Sequence, residues 1–251
     1  MKPISIQLYS LREEAQKDFV GVLKSVAEMG YKGVEPAGFH GMEPKAVRRL
    51  VEDLGMVVSS NHGPWPDEDN VSEVVDVAGA LGIDIVVSGF GADAFADLDA
   101  IKRTADTVNA ATERLKKANL ALALHNHSHE FEIVGGRLGY DILMELCPDV
   151  KCQLDTYWAA NFGACDPAEQ VAKNKARTPL LHIKDGPLVR GEHHMAVGSG
   201  KMDIPACIAA ADENVLRWLI VELDSCATDM TEAVRQSYDY LVKESLGEGN
   251  K

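Results

Sequence analysis

The chain has 251 residues, of which 46% are hydrophobic and 25% are charged, as is typical of a globular protein with one large domain. Its formal net charge of −14 disfavours a nucleic-acid partner, because nucleic acids are bound largely by Lys and Arg side chains that neutralise phosphates. No apolar run approaches the roughly 20 residues that span a bilayer. The first residues, "MKPISIQLYS", lack the apolar core of a signal peptide, and the five cysteines form no CxxC pair, so we expect reduced thiols and a cytoplasmic location.

Short apolar runs alternate with longer segments of helical period along the whole chain. In chain order, the predicted strands are residues 4–9, 33–36, 56–62, 84–90, 120–127, 150–158, 179–185 and 217–224. The predicted helices that follow them are residues 18–30, 43–55, 70–82, 97–119, 139–147, 166–176, 203–212 and 229–246. The last five residues, "GEGNK" (247–251), are predicted to be a frayed end.

Strand–helix units that follow one another in this way predict a parallel sheet. Eight such units in 251 residues predict a closed (β/α)8 barrel, an α/β fold that forms one domain over residues 1–251. A doubly wound open sheet is the alternative. It is disfavoured because such sheets usually have fewer units and because no Gly-rich dinucleotide loop follows the first predicted strand.

Polar side chains are concentrated at the predicted C-terminal ends of the strands, where barrels of this type carry their active sites. They are Tyr9, Glu35, His62, His125, His127, Asp155, His182, Lys184, Glu222 and Asp224. Polar groups are costly to bury without partners, so their concentration at one rim of the barrel predicts a functional site.

The two-residue alternation of strands indicates which of these side chains point into the barrel. Residues two apart share a face, which groups Gln153 with Asp155, His182 with Lys184, and Glu222 with Asp224. Three consecutive strands therefore direct Asp155, His182 and Glu222 towards one point. Two carboxylates and one imidazole are suitable ligands for a divalent cation. The alternative is an ion-pair network of these three residues with Lys184.

A fourth ligand is expected from the fifth predicted strand and the residues after it, "LALHNHSHEF" (122–131). His125, His127 and Glu130 are the candidates. Strand parity favours a histidine, whereas charge balance favours Glu130, because a divalent cation prefers three carboxylates to two. The residues alone leave this choice open.

Eight stretches distributed from the first strand to the last helix match one family. They are "IQLYSLR" (6–12), "GYKGVEPAG" (30–38), "LHNHSHEF" (124–131), "LDTYW" (154–158), "LLHIKDG" (180–186), "VGSGKMDIPA" (197–206), "VELD" (221–224) and "SYDYL" (237–241). In this order, they make the chain resemble the sugar phosphate isomerase/epimerase family of xylose isomerase-like TIM barrels. The chain is also similar to inosose dehydratases and keto-glycoside-processing enzymes.

The resemblance implies one divalent metal, with manganese favoured over magnesium, cobalt or zinc. It implies a ligand set from strands five to eight that consists of Glu130, Asp155, His182 and Glu222. Many relatives carry the strand-five glutamate at the strand end itself, where this chain has His125. The resemblance also implies a homo-oligomer, a dimer or a tetramer.

The expected activity is that of a metal-dependent isomerase or epimerase acting on a keto- or aldo-sugar, phosphorylated or not. A metal that bridges a carbonyl and the adjacent hydroxyl acidifies the proton between them, and a base then forms a metal-stabilised enediolate. Catalytic roles are expected for Glu130, Glu222, Lys184 and His127. Substrate contacts are expected from His125, His127, Glu35, His62, Lys184, Tyr9 and Trp158. His193 and His194, in the polar loop after the seventh strand, are expected to belong to a mobile lid.

Other functions are compatible with the same residues. An inosose-type dehydratase or a keto-glycoside lyase or hydrolase would use the same first step with a different leaving group. A DNA-repair nuclease of the endonuclease IV type would require further metal ligands and a basic face, which the charge of −14 disfavours. A non-catalytic barrel is the remaining alternative. The expected partner is a small sugar or polyol, without nucleic acid or membrane.

Overall fold

The computed structural model describes residues 1–251 and contains a nearly closed barrel of parallel strands surrounded by helices. The strands are β1 (Lys2–Gln7), β2 (Gly33–Glu35), β3 (Val57–Val58), β4 (Asn61–His62), β5 (Ile85–Ser88), β6 (Ala121–His125), β7 (Ile133–Val134), β8 (Arg137–Leu138), β9 (Lys151–Asp155), β10 (Leu180–Ile183), β11 (Trp218–Val221) and β12 (Gly247–Glu248). Nine of them form the barrel, in the order β3, β2, β1, β11, β10, β9, β6, β5 and β4, while β12 pairs with β1 outside this order and β7 and β8 form a separate hairpin. The predicted (β/α)8 barrel is therefore confirmed.

The third predicted strand is split into two short pieces, one at each edge of the nearly closed barrel. The first piece, β3, pairs with β2, and the second, β4, pairs with β5 on the other side. Ser59 and Ser60 lie between the two pieces, outside regular strand geometry. One stretch of chain thus contacts both edges of what would otherwise be an open sheet.

The helices surround the barrel. They are α1 (Arg12–Met29), α2 (Pro44–Asp53), α3 (Val71–Leu81), α4 (Leu98–Lys116), α5 (Gly139–Leu146), α6 (Thr156–Ala159), α7 (Pro167–Asn174), α8 (Ile204–Ala209) and α9 (Met230–Lys243). Several begin where an aspartate side chain accepts a backbone N–H of the first turn, as at Asp97, Asp166, Asp203 and Asp229. None of these helices combines the length and the apolar character that crossing a membrane requires.

Three local predictions differ from the structure. Helix α1 begins at Arg12, six residues earlier than predicted, and has a kink at Asp18. The β7–β8 hairpin and the single-turn helix α6 were not predicted, because segments this short carry no hydrophobic period. The prediction of a frayed end is wrong. Strand β12 pairs with β1, and the backbone N–H of Asn250 donates to the carbonyl of Gly30 at 2.7 Å.

The buried hydrophobic residues form two groups. A large cluster lies between the outward faces of the strands and the helices. A small cluster inside the barrel consists of Ile85, Val87, Ala123, Leu180 and Ile220. By strand parity, Leu180 shares its face with His182, and Ile220 shares its face with Glu222. Inside the barrel, an apolar layer therefore lies beneath the polar side chains at the C-terminal ends of the strands.

Asp185, directly after β10, anchors the long loop that leads to α8. Its buried carboxylate accepts four backbone N–H groups, from Gly186 (2.8 Å), Gly198 (2.9 Å), Gly200 (2.9 Å) and Met202 (3.0 Å). A Cβ atom at Gly200 would lie 2.1 Å from the Asp185 carboxylate, so this position requires glycine. The loop is thus fixed by one side chain.

We expect Asp185→Ala to lower the free energy of unfolding by roughly 3–5 kcal/mol, because it leaves four backbone donors without their charged acceptor. Urea denaturation followed by circular dichroism measures this change. Asp93→Ala, at an exposed position, is the control and should change stability by less than about 0.5 kcal/mol. An Asp185→Ala loss as small as that of the control would contradict the anchoring role.

Candidate active site

A polar cavity of about 560 Å³ opens at the C-terminal ends of the barrel strands. Its lining consists of Gln7, Tyr9, Ala37, Gly38, His62, His125, His127, Trp158, Lys184, Glu222 and Asp224. Most of the side chains that the sequence assigns to a substrate site are therefore brought together here, and we call this space the mouth cavity. Glu35 and Glu130 are not part of its lining.

Four buried side chains converge around the mouth cavity, each from the end of a different strand. They are His125, Asp155, His182 and Glu222, and their potential ligand atoms all lie within 4.8 Å of one another. Two imidazoles and two carboxylates form a donor set that suits a divalent cation. One Asp155 carboxylate oxygen, Oδ2, is buried, and its one close partner is Lys184 Nζ at 3.0 Å, so a cation could take the place of that ion pair. These residues fit a metal ion.

Lys184 forms an ion-pair network with the carboxylates of this group. Its Nζ lies 2.7 Å from Glu222 Oε2, 3.0 Å from Asp155 Oδ2 and 2.9 Å from Asp224 Oδ2. Burial alone would lower the pKa of Lys184, but Asp155, Glu222 and Asp224 outweigh it and raise that pKa above its ordinary value. The side chain is therefore an ammonium. The ion-pair network that the sequence offers as an alternative exists among the same residues that could hold a metal.

Glu35 lies below the mouth cavity as a fully buried acceptor. Its carboxylate accepts hydrogen bonds from Gln7 Nε2 (2.5 Å), Gln153 Nε2 (2.5 Å), His182 Nε2 (3.1 Å) and Ser60 Oγ. Burial would raise the pKa of Glu35, but the charge and hydrogen bond of His182 outweigh it and lower that pKa. Glu35 is thus ionised and fully engaged with the protein.

The Glu35 carboxylate orients both imidazoles of the four-residue group, His182 directly and His125 through Gln153. His182 donates to Glu35 through Nε2, and its Nδ1 lies 2.9 Å from Glu222 Oε2. His125 Nδ1 lies 2.9 Å from the Oε1 atom of Gln153, whose amide in turn donates to Glu35. Burial would lower the pKa of His182, but Glu222 and Glu35 outweigh it and raise the pKa to about 10.

Glu130 belongs to a second, separate group. Its Oε2 atom accepts the backbone N–H of His127 at 2.9 Å and lies 3.2 Å from His129 Nε2. Burial raises the pKa of Glu130 to about 8. The structure therefore places Glu130 behind His127 and places His125, instead of Glu130, with Asp155, His182 and Glu222.

Side chains at the rim of the mouth cavity are partly exposed. The His127 side chain is 47% exposed, and burial and Lys184 lower its pKa to about 4. The Trp158 ring lies 5.3 Å from Lys184 Nζ. His194 is not part of an exposed lid: it is buried, its Nδ1 accepts the Asp224 N–H at 3.0 Å, and its ring packs against Trp158.

Sequence reasoning did not assign a role to several residues that support the site. Gln153 shares a strand face with Asp155, and this parity was its only signal. Gln7 is the last residue of β1, and its position at a strand end was the only sequence feature that pointed to it. Ser60 lies in the irregular break of the third strand, where parity carries no information.

No curated protein matches the chain by sequence. A sugar phosphate isomerase/epimerase from Parabacteroides distasonis has a similar structure, with a TM-score of 0.80, 27% identity, and coverage of 96% of this chain and 93% of that chain. 

Two more distant solved structures share the fold. The probable 3-DHS dehydratase AsbF from Bacillus anthracis has a TM-score of 0.74 and 11% identity over 96% of this chain and 98% of that chain. An L-ribulose 3-epimerase has a TM-score of 0.70 and 15% identity over 97% of this chain and 94% of that chain. The family model of the xylose isomerase-like TIM barrel matches residues 23–244. The chain therefore belongs to the xylose isomerase-like TIM barrel family.

Proposed function

We propose that the protein is a divalent-metal-dependent isomerase or epimerase of a small keto- or aldo-sugar, with manganese as the favoured ion. The observation that carries this proposal is the group of four buried ligands beside the polar mouth cavity. A cavity of about 560 Å³ is within the range of small-molecule sites. The sugar isomerase, epimerase and dehydratase neighbours support an enzyme of this class.

We assign the ligand role to His125, Asp155, His182 and Glu222. When bound, a divalent cation supplies Lewis-acid polarisation of a carbonyl and a neighbouring hydroxyl, which acidifies the carbon-bound proton between them. Glu35 and Gln153 hold the two imidazole rings in fixed orientations, as carboxylate and amide partners of ligand histidines do in other metal sites.

His127 and Lys184 are the chain's groups for contacting substrate hydroxyls and stabilising charge. His127 lines the mouth cavity, and its lowered pKa of about 4 keeps the ring neutral near neutral pH, so the ring is suited to accept a hydrogen bond from a substrate hydroxyl. The Lys184 ammonium also lines the cavity and can stabilise negative charge that develops on a substrate oxygen. The rings of Tyr9 and Trp158 offer faces on which a sugar can pack.

Proton exchange tests the reaction class. With added manganese in deuterated solvent, the protein should exchange the α-proton of at least one member of a panel of ketoses, aldoses and inososes, followed by NMR. Glu222→Gln should slow this exchange roughly 100-fold or more, because it removes a ligand carboxylate. Glu28→Gln, at an exposed position, is the matched control and should leave the rate unchanged.

The products of the same experiment separate the related activities. A rearranged sugar identifies an isomerase or an epimerase, whereas loss of water or of a glycosyl group identifies a dehydratase or a lyase. Absence of both bound divalent metal and α-proton exchange across the panel would refute the enzyme proposal.

The identity of the fourth ligand is testable without substrate. We expect His125→Ala to weaken manganese binding roughly 100-fold, because it removes a member of the buried group. Glu130→Gln should weaken binding less than about 3-fold, because Glu130 contacts His127 and His129 instead. Competition with a fluorescent chelator measures both affinities. The reverse order of effects would return the ligand role to Glu130.

Glu35 should affect metal affinity although it does not line the mouth cavity. Glu35→Gln should weaken manganese binding roughly 10–100-fold, because the neutral amide no longer provides a carboxylate behind His182. Ser60→Ala removes another donor to the same carboxylate but leaves the His182 contact intact, so its effect should be small. Equal manganese affinities in Glu35→Gln and the wild type, measured by the same competition method, would show that Glu35 does not position the ligands.

A further inference from the structure

A second cavity, of about 190 Å³, lies between helix α3 and the split third strand. Its apolar walls are Phe39, Val74, Val77, Ala78, Ile83 and Val86. The rest of its lining includes Asn61, His62 and Gly38, with the exposed Glu73 and Pro64 at its outer side. We call this space the annex.

The annex adjoins the mouth cavity. Gly38 and His62 are part of the lining of both. Gly38 has a φ of +86°, and no atom lies within 4 Å of the position that a Cβ would occupy there. The boundary between the two spaces thus includes a residue without a side chain. The two spaces therefore meet at Gly38 and His62.

The walls of the annex select an apolar group. Sugar hydroxyls placed against aliphatic side chains would lose their hydrogen bonds to water without replacement, so the annex does not suit the sugar itself. Apolar cavities of about 150 Å³ bind benzene. At about 190 Å³, the annex has room for one aromatic ring with a small substituent.

One polar side chain in the annex lacks a partner. Asn61 is 7% exposed, and its carboxamide makes no hydrogen bond to any protein atom, whereas the neighbouring Ser60 donates to Glu35. The polar atoms of this amide remain open to the solvent in the annex, so a ligand hydroxyl can take the place of water there. In a small-molecule site, one such group among apolar walls orients the ligand.

We propose that the annex is a subsite for an aromatic, hydroxyl-bearing substituent of the substrate, with the ring between α3 and Phe39 and its hydroxyl on Asn61. This assignment rests on the proposed function, because it takes the sugar part of the substrate to occupy the mouth cavity. The substrate class is therefore an aryl-substituted sugar, larger than a free monosaccharide.

Phenol and toluene are the probes, because they test the annex without any assumption about the sugar. Titration of the 15N-labelled protein should shift the backbone amides of Asn61, Val77 and Val86 with either probe. Asn61→Ala should weaken phenol binding roughly 3–10-fold, the worth of one hydrogen bond, and leave toluene binding unchanged. Val77→Phe should weaken both probes at least 10-fold, because the larger ring fills the space.

Ser72→Phe, at an exposed position of the same helix, is the matched control and should bind both probes as the wild type does. The thermal midpoint of Val77→Phe should equal or exceed that of the wild type, which shows that the weaker binding does not come from unfolding. If neither probe shifts these amides, the subsite is refuted. Should Val77→Phe unfold, Ala78→Val, which fills less of the same cavity, must still weaken both probes for the proposal to stand.

The link to substrate is tested with phenyl and methyl keto-glycosides, in which the phenyl or methyl group occupies the anomeric carbon and a ring ketone keeps an exchangeable α-proton. The phenyl glycoside should have a lower KM than the methyl glycoside by at least 10-fold, and Val77→Phe should remove that difference. Probe binding without exchange of any sugar would refute the proposed function and, with it, the substrate role of the annex. Exchange without a phenyl preference would refute the subsite alone.

Discussion

The burial of ionised carboxylates inside the nearly closed barrel is the constraint on which the rest of this structure depends. Glu35 and Asp155 are fully buried and Glu222 is 5% exposed, and an ionised carboxylate costs several kcal/mol to remove from water. Each is offset by specific partners: four donors for Glu35, and Lys184 and His182 for Glu222. Asp155 accepts the Trp158 N–H and pairs with Lys184, yet burial still raises its pKa to about 6. Its partners therefore compensate its burial less completely than those of Glu35 and Glu222, whose pKa values are lowered.

The split of the third strand connects the two cavities to this carboxylate group. Three consecutive residues have three different environments: Ser60 donates to Glu35, Asn61 lines the annex, and His62 lines both cavities. A regular strand would also have paired on both sides, but it would have continued the alternation from β3. The break instead lets Ser60 donate to Glu35 and leaves space against α3. The support of Glu35 and the annex thus have one local cause.

The part of the site that could be predicted from the sequence depends on how far apart in the sequence the interacting residues are. Strand alternation acts over two residues, and it was sufficient to bring Asp155, His182 and Glu222 to one point. The donors around Glu35 come from residues 7, 60, 153 and 182, and no local pattern indicates that they meet. Parity correctly indicated that His125 points inward, whereas charge balance and resemblance favoured Glu130, which the loop after β6 directs away from the group. His194 looked like a mobile residue in a Gly-rich loop, but packing against Trp158 and a contact with Asp224 bury it.

The position of Asp224 explains how one site can contain both an internal ammonium and ligands for a cation. Lys184 contacts Asp155 and Glu222, the same carboxylates that belong to the ligand group, and a second positive charge there would repel it. Asp224 lies outside the ligand group, and its side chain is 31% exposed at the mouth cavity, 2.9 Å from Lys184 Nζ. It therefore provides a carboxylate that stays paired with the ammonium when the oxygen atoms of Asp155 and Glu222 are engaged elsewhere. His194 fixes the Asp224 backbone, and the Asp185-anchored loop carries His194. The loop after β10 thus acts on the charge balance of the site through the placement of a single carboxylate.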